Sequence, residues 1–165
     1  KTDTTSVQTF QSINRGPAGL VHTGTVEWFA PMDKKVGAQT EFSVDGLDKL
    51  PRVDILYAHA NMSADLIDAA VKNGAKGIVI AGVGDGNMTT PALDALKKAA
   101  TSGVVVVRST RLPKGLVLRN NEVNDDEMGF VASGELNPAK SRVLLQLALT
   151  KTSDPKRIQA MFYEY

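Results

Sequence analysis

The chain has 165 residues, 42% hydrophobic and 22% charged, enough to bury a sizeable core but short for more than one ordinary domain plus a fragment. Its 19 basic and 18 acidic residues are interspersed to a net charge of +1 with aromatics at 5%, which argues against nucleic acid, whose binding needs a basic stripe and stacking rings. The absence of cysteine excludes disulfides and thiolate chemistry within this stretch. The longest apolar run, Gly103 to Val107, falls far short of the roughly 18 residues that cross a bilayer.

No signal peptide is visible, and Lys1 in place of methionine points to processing or truncation. Residues 1–10 are Thr-rich and polar. Residues 18–29 read as two short strands around Thr23-Gly24, a hairpin signal. Periodicity is then lost, and Pro31, Lys34, Lys35 and Gly37 mark residues 31–50 as a linker.

After Pro51 the pattern changes. Residues 53–58 predict a strand, and Ser63 offers an N-cap to a helix with Leu66, Ile67, Ala70 and Val71 on one face, stopped at Asn73-Gly74. Residues 77–81 read as a strand buried on both faces. A helix from Thr90-Pro91 to Ser102-Gly103 and a strand over 104–107 follow. After a polar loop over 120–127 the remainder reads as helical, with Asn137-Pro138 and Asp154-Pro155 marking helix starts, as Thr90-Pro91 does. Alternating strands and long helices predict parallel strands joined by right-handed crossovers, a small α/β layer domain with flanking helices.

Ligands of open parallel sheets bind beyond the carboxyl ends of the strands. Three segments are expected there: His59-Ala-Asn61, Gly82-Val-Gly-Asp-Gly-Asn87 and Arg108-Ser-Thr-Arg111. The glycine loop lacks the last glycine of a dinucleotide fingerprint and has no phosphate-binding lysine, so a plain turn outweighs a nucleotide site. His22 and His59 have no triad context around them and read as structural or surface groups. Asn124-Asp-Asp-Glu127 lacks EF-hand spacing and reads as a solvated loop rather than a calcium site. Arg108 and Arg111 could clamp a carboxylate, but structural salt bridges are favoured.

Five segments together resemble the bacterial type II L-asparaginases, and most closely the glutaminase-asparaginases: Lys1-Thr-Asp-Thr-Thr5, Ala81-Gly-Val-Gly-Asp-Gly-Asn87, Val106-Val-Arg-Ser-Thr110, Gly129-Phe-Val-Ala-Ser-Gly134, and Leu136-Asn-Pro138 with Arg142-Val-Leu-Leu-Gln-Leu-Ala148. The resemblance implies two α/β domains. The larger, amino-terminal one carries a threonine nucleophile and a second threonine beside an aspartate, and residues 1–30 would be its end, with its last strands. Residues 51–165 would be the smaller carboxy-terminal domain. The family's catalytic lysine falls on Lys1, and the substrate-binding residues lent across a subunit interface fall on Asn87 and Glu122.

Amide hydrolysis needs a nucleophile, a proton acceptor and stabilisation of the oxyanion. By resemblance Lys1 acts as base through the second threonine, Glu122 binds the substrate's α-ammonium, and Asn87 orients the substrate carboxylate and holds Glu122. The implied protein is a periplasmic homotetramer with sites between subunits. It hydrolyses asparagine or glutamine through an acyl-threonine, without metal or organic cofactor. Asp85 stands where many strict asparaginases carry asparagine, which suggests activity on both amides. The alternative is a non-catalytic α/β module that binds an amino acid or nucleotide, or serves assembly alone.

Overall fold

A computed structural model describes residues 1–29 and 34–165. Residue 30, the last of the expected amino-terminal segment, and residues 31–33, the first of the expected linker, lie outside the described residues. The architecture is α/β. Strands β1 (Gly19–His22) and β2 (Thr25–Trp28) form an antiparallel hairpin. Thr23 and Gly24 turn it with positive φ of 45° and 79°, the conformation that matches the twist of paired strands.

The second sheet is wholly parallel in sequence order: β3 (Val53–Tyr57), β4 (Gly77–Gly82), β5 (Val105–Thr110) and β6 (Phe130–Ala132). Alternate side chains serve opposite faces, as strand geometry dictates. Ile78, Ile80, Val106 and Phe130 pack under α1 (Asp65–Lys72) and α2 (Thr90–Thr101). A one-turn α3 (Asp125–Met128) precedes β6, and Val53, Val79, Val105, Val107 and Val131 pack under α4 (Pro138–Ala148) and α5 (Pro155–Glu164). Each fully buried Ile, Leu or Val contributes about 1.5–3 kcal/mol relative to exposure, so the two clusters hold most of the fold's stability. Gly77 lets α4 lie close, because a Cβ there would sit 2.6 Å from Leu145 Cδ2.

Several expectations are corrected. Helix α1 is capped at Ala64 without a side-chain bond; Ser63 Oγ lies 3.5 Å from the Asp65 amide, one position too early. Leu66 is exposed, one residue off the buried Ile67–Ala70 stripe. Thr90 is the first residue of α2 rather than its cap; the cap position is Thr89, whose hydroxyl donates to Met62 O at 2.7 Å. Asn137 and Asp154 do cap, accepting from the amides of Lys140 and Lys156.

Strand β5 runs three residues beyond Val107, and Arg108, Ser109 and Thr110 are buried inside it rather than lying past its end. The stretch after the polar loop is not wholly helical: it opens with β6. That strand's outer edge is closed by Gln159 of α5, whose amide accepts from Ala132 N at 2.8 Å and donates to Ala132 O at 3.1 Å. Part of the segment from residue 34 onward lies against the same helix: Lys35 N bonds Glu164 O, Glu41 pairs with Arg157, and the Phe42 ring is tilted against Tyr165 with centroids 4.9 Å apart.

Candidate active site

Two loops meet at the carboxyl ends of β4 and β5. The first is a tight reversal in which Val83 and Asn87 exchange two backbone hydrogen bonds of 2.8 Å. Its glycines answer to this chain's own packing. Gly84 and Gly86 take positive φ of 56° and 74°, and a Cβ on Gly82 would stand 2.4 Å from the Gly86 carbonyl carbon. The turn projects Asn87 outward, and Asn87 Oδ1 accepts from Met88 N at 2.7 Å, which fixes which way the amide faces.

The second loop, residues 117–124, carries Glu122. Asn87 Nδ2 donates to Glu122 Oε2 at 3.3 Å, so the structure brings these two expected substrate-binding residues together across 35 positions of sequence. Both are exposed. Among the described residues Glu122 has no cationic partner, which leaves its carboxylate open to a positively charged group from outside.

Beneath this pair lies a buried scaffold. Arg108 and Asp125 form a two-pronged ion pair at 2.6 and 2.8 Å, both side chains fully buried. The same guanidinium donates to Asp85 O at 2.8 Å and Leu118 O at 2.9 Å, tying the turn to the acidic loop. Asp125 also accepts from Asn120 N at 2.8 Å. Arg119 reaches from this loop to Gln159 Oε1 at 2.6 Å and pairs with Asp126. Asn120 and Arg119 together hold the Asp126 carboxyl below its ordinary range, through hydrogen bonds that favour the charged form.

Arg108 therefore serves a structural ion pair, as does Arg52 with Asp54 at 2.9 Å, whereas Arg111 donates to Ala58 O at 2.9 Å. The expectation that residues 124–127 form a merely solvated loop is corrected, because Asp125 is in the core. The clue lay in Asn124-x-x-Glu127, a capping-box spacing that starts α3 (Asp125–Met128): the Asn124 side chain accepts from Glu127 N at 3.1 Å. His59 bonds Ala60 O at 2.8 Å and His22 faces Glu27 at 3.4 Å, both exposed.

Lys1 is exposed and begins a loop closed by two bonds from Thr2 to Thr9 O, at 2.8 and 2.9 Å. Asp3 braces that loop by accepting from the Ser6 and Thr5 amides, which lowers its pKa. Among the described residues no hydrogen bond or ion pair joins Lys1 to Asn87 or Glu122 within one chain. A cavity of about 840 Å³ lies over α4 between Phe42 and Leu144, and none of the three residues lines it.

This arrangement occurs within a stretch, residues 52–162, that matches the family described as the Glutaminase/Asparaginase C-terminal domain. The chain belongs to that family. It is 50% identical over its whole length to a probable periplasmic L-asparaginase of Haemophilus influenzae, covering 47% of that protein. It is 48% identical to L-asparaginase 2 of Escherichia coli, with the same coverage. Against the glutaminase-asparaginase of Pseudomonas fluorescens biotype A, identity is 39% over 91% of the chain and 42% of that protein. Identity thus runs higher with these two proteins named L-asparaginase than with this glutaminase-asparaginase. The chain spans about half the length of these relatives.

Proposed function

We propose that this chain is the carboxy-terminal portion of an amidohydrolase that converts L-asparagine and L-glutamine to the corresponding acid and ammonia. The observation that carries the reading is the Asn87–Glu122 hydrogen bond at the sheet's carboxyl edge, an aligned and unneutralised carboxylate beside an amide. Such a pair suits an amino acid's head group: the carboxylate accepts from the α-ammonium, and the amide positions both charges. The relatives' names, L-asparaginase and glutaminase-asparaginase, supply the substrate class.

In this reading Lys1 is the proton acceptor that, through a threonine, activates catalysis at one site, while Asn87 and Glu122 complete the site of a neighbouring subunit in a homotetramer. The threonine nucleophile resides in the additional length that the relatives possess, so this chain by itself does not hydrolyse amides. The reaction proceeds through an acyl-threonine and uses no metal or organic cofactor. A periplasmic location accords with the name of the Haemophilus relative, and no described helix is long and apolar enough to cross a membrane. Residues 1–30 form the end of the nucleophile-bearing domain, 31–50 the connector, and 51–165 the domain that lends Asn87 and Glu122.

The test is Glu122→Gln in the intact enzyme. Losing a charge-assisted hydrogen bond is expected to raise KM for asparagine about 10- to 100-fold. Thermal stability should barely move, because the side chain is exposed. Unchanged kinetics with a lowered melting temperature would assign Glu122 to the fold instead.

A further inference from the structure

We propose that Asp85 is a positioning residue for substrate binding, which sets the place of Glu122 by fastening the acidic loop to the glycine turn. The inference rests on the reading of Glu122 as the carboxylate that receives the substrate's ammonium. Asp85 Oδ1 accepts from Leu118 N at 2.6 Å, and Asp85 Oδ2 accepts from Asn121 Nδ2 at 2.6 Å. Asn121 is the residue immediately before Glu122, and Asn87, two residues after Asp85, holds Glu122 itself. One five-residue turn thus grips the loop at three points around the functional carboxylate.

The grip starts from a fixed place. Arg108 Nη1 donates to the backbone oxygen of Asp85, and Arg108 is itself locked by Asp125. Gly86 lets the guanidinium approach, since a Cβ there would stand 3.0 Å from Arg108 Nη1. Asp85 is only partly exposed, so its bonds compete less with water than those of a surface acid.

In the present sequence context a carboxylate suits this position best. Both of its oxygens accept, and both donors come from the acidic loop. An asparagine at 85 has one acceptor oxygen and turns an NH2 toward the other donor. The Leu118 amide cannot rotate away, but the Asn121 side chain can, by presenting its oxygen instead. Asp85→Asn is therefore a partial loss, Asp85→Ala a full one. The exchange Asp85→Asn with Asn121→Asp reverses donor and acceptor while keeping reach and net charge.

Steady-state kinetics of the intact enzyme on asparagine, with melting temperatures measured in parallel, test the proposal. Asp85→Ala is expected to raise KM about 10-fold, from the two lost bonds. Its kcat should remain within about 2-fold, since the group acts on binding through Glu122 and touches no reacting atom. Asp85→Asn should fall between Asp85→Ala and wild type, and the exchanged pair should return KM toward wild type. Should Asp85→Ala fail to fold, the Asp85→Asn and exchange comparison carries the test alone. A KM that stays at the wild-type value in the Asp85 variants, or fails to recover in the exchange, overturns the positioning role. Glu122→Gln separates the two ideas. If it raises KM while the Asp85 variants do not, only the positioning role falls; if it leaves KM unchanged, the ammonium reading falls first.

Discussion

Asp125→Ala is expected to destabilise the protein by about 3–5 kcal/mol, the cost of leaving a buried charge without its partner. Arg108 and Asp125 are both fully buried, and removing the acid strands a guanidinium between the sheet and the acidic loop. Domain stabilities are only about 5–15 kcal/mol, so the loss is a large fraction of the whole. The melting temperature should drop by on the order of 10 °C at fixed protein concentration. Replacing both partners by apolar side chains, Arg108→Met with Asp125→Leu, should recover part of that loss, because no uncompensated charge remains. Substrate binding in the double variant should stay weak all the same, since the bonds from Arg108 to Asp85 O and Leu118 O are gone. A single-variant cost under about 1 kcal/mol would show that Arg108 finds water or another acceptor, and that the pair is not the scaffold of the site.

Lys1→Met in the intact enzyme is expected to reduce the rate of ammonia release by at least about 100-fold, the lower range for removing a proton-transfer group. Methionine retains a flexible, unbranched side chain and deletes the amine. Lys1 is exposed, with its loop held by Thr2, Asp3 and Thr9 rather than by its own side chain, so stability should change by no more than about 0.5 kcal/mol. The effect should appear in kcat, with KM little altered, because in the proposed mechanism the amine acts on the reacting atoms and not on the substrate's head group. Wild-type turnover in this variant would remove Lys1 from the chemistry.

The strands and helices from Val53 to Val107 are legible in the sequence because each carries its own period and its own stop signal. Asn73-Gly74 ends α1 with Gly74 at φ 84°, and residues 77–81 are apolar throughout because helices cover both faces of β4. What could not be read depends on partners distant in sequence. Arg108, Ser109 and Thr110 look like loop, yet they are strand, because Asp125 and the carbonyl of Leu136 satisfy Arg108 and Ser109. β6 is three residues long between Gly129 and Gly134, and its edge is completed by a glutamine 27 positions on.

The site divides in the same way. The glycine turn is visible from its spacing. Nothing local singles out Glu122 among the acids of its loop, and its link to Asn87 came from family resemblance until the hydrogen bond placed the two side chains together. Asp125 is hidden by its neighbours: the Asn124-x-x-Glu127 spacing marks a helix start, but nothing in the polar run shows which of its three acids is buried.

In the proposed enzyme, Lys1 and Glu122 of different subunits serve one substrate. Co-expressing Lys1→Met and Glu122→Gln subunits with different tags, isolating the mixed oligomers and measuring ammonia release at low asparagine tests it directly. Sites formed with lysine from one variant and glutamate from the other are intact, so the mixed oligomers should exceed the activity of either parent alone. Activity no higher than the average of the two parents would place both residues in the same subunit's site and contradict the account.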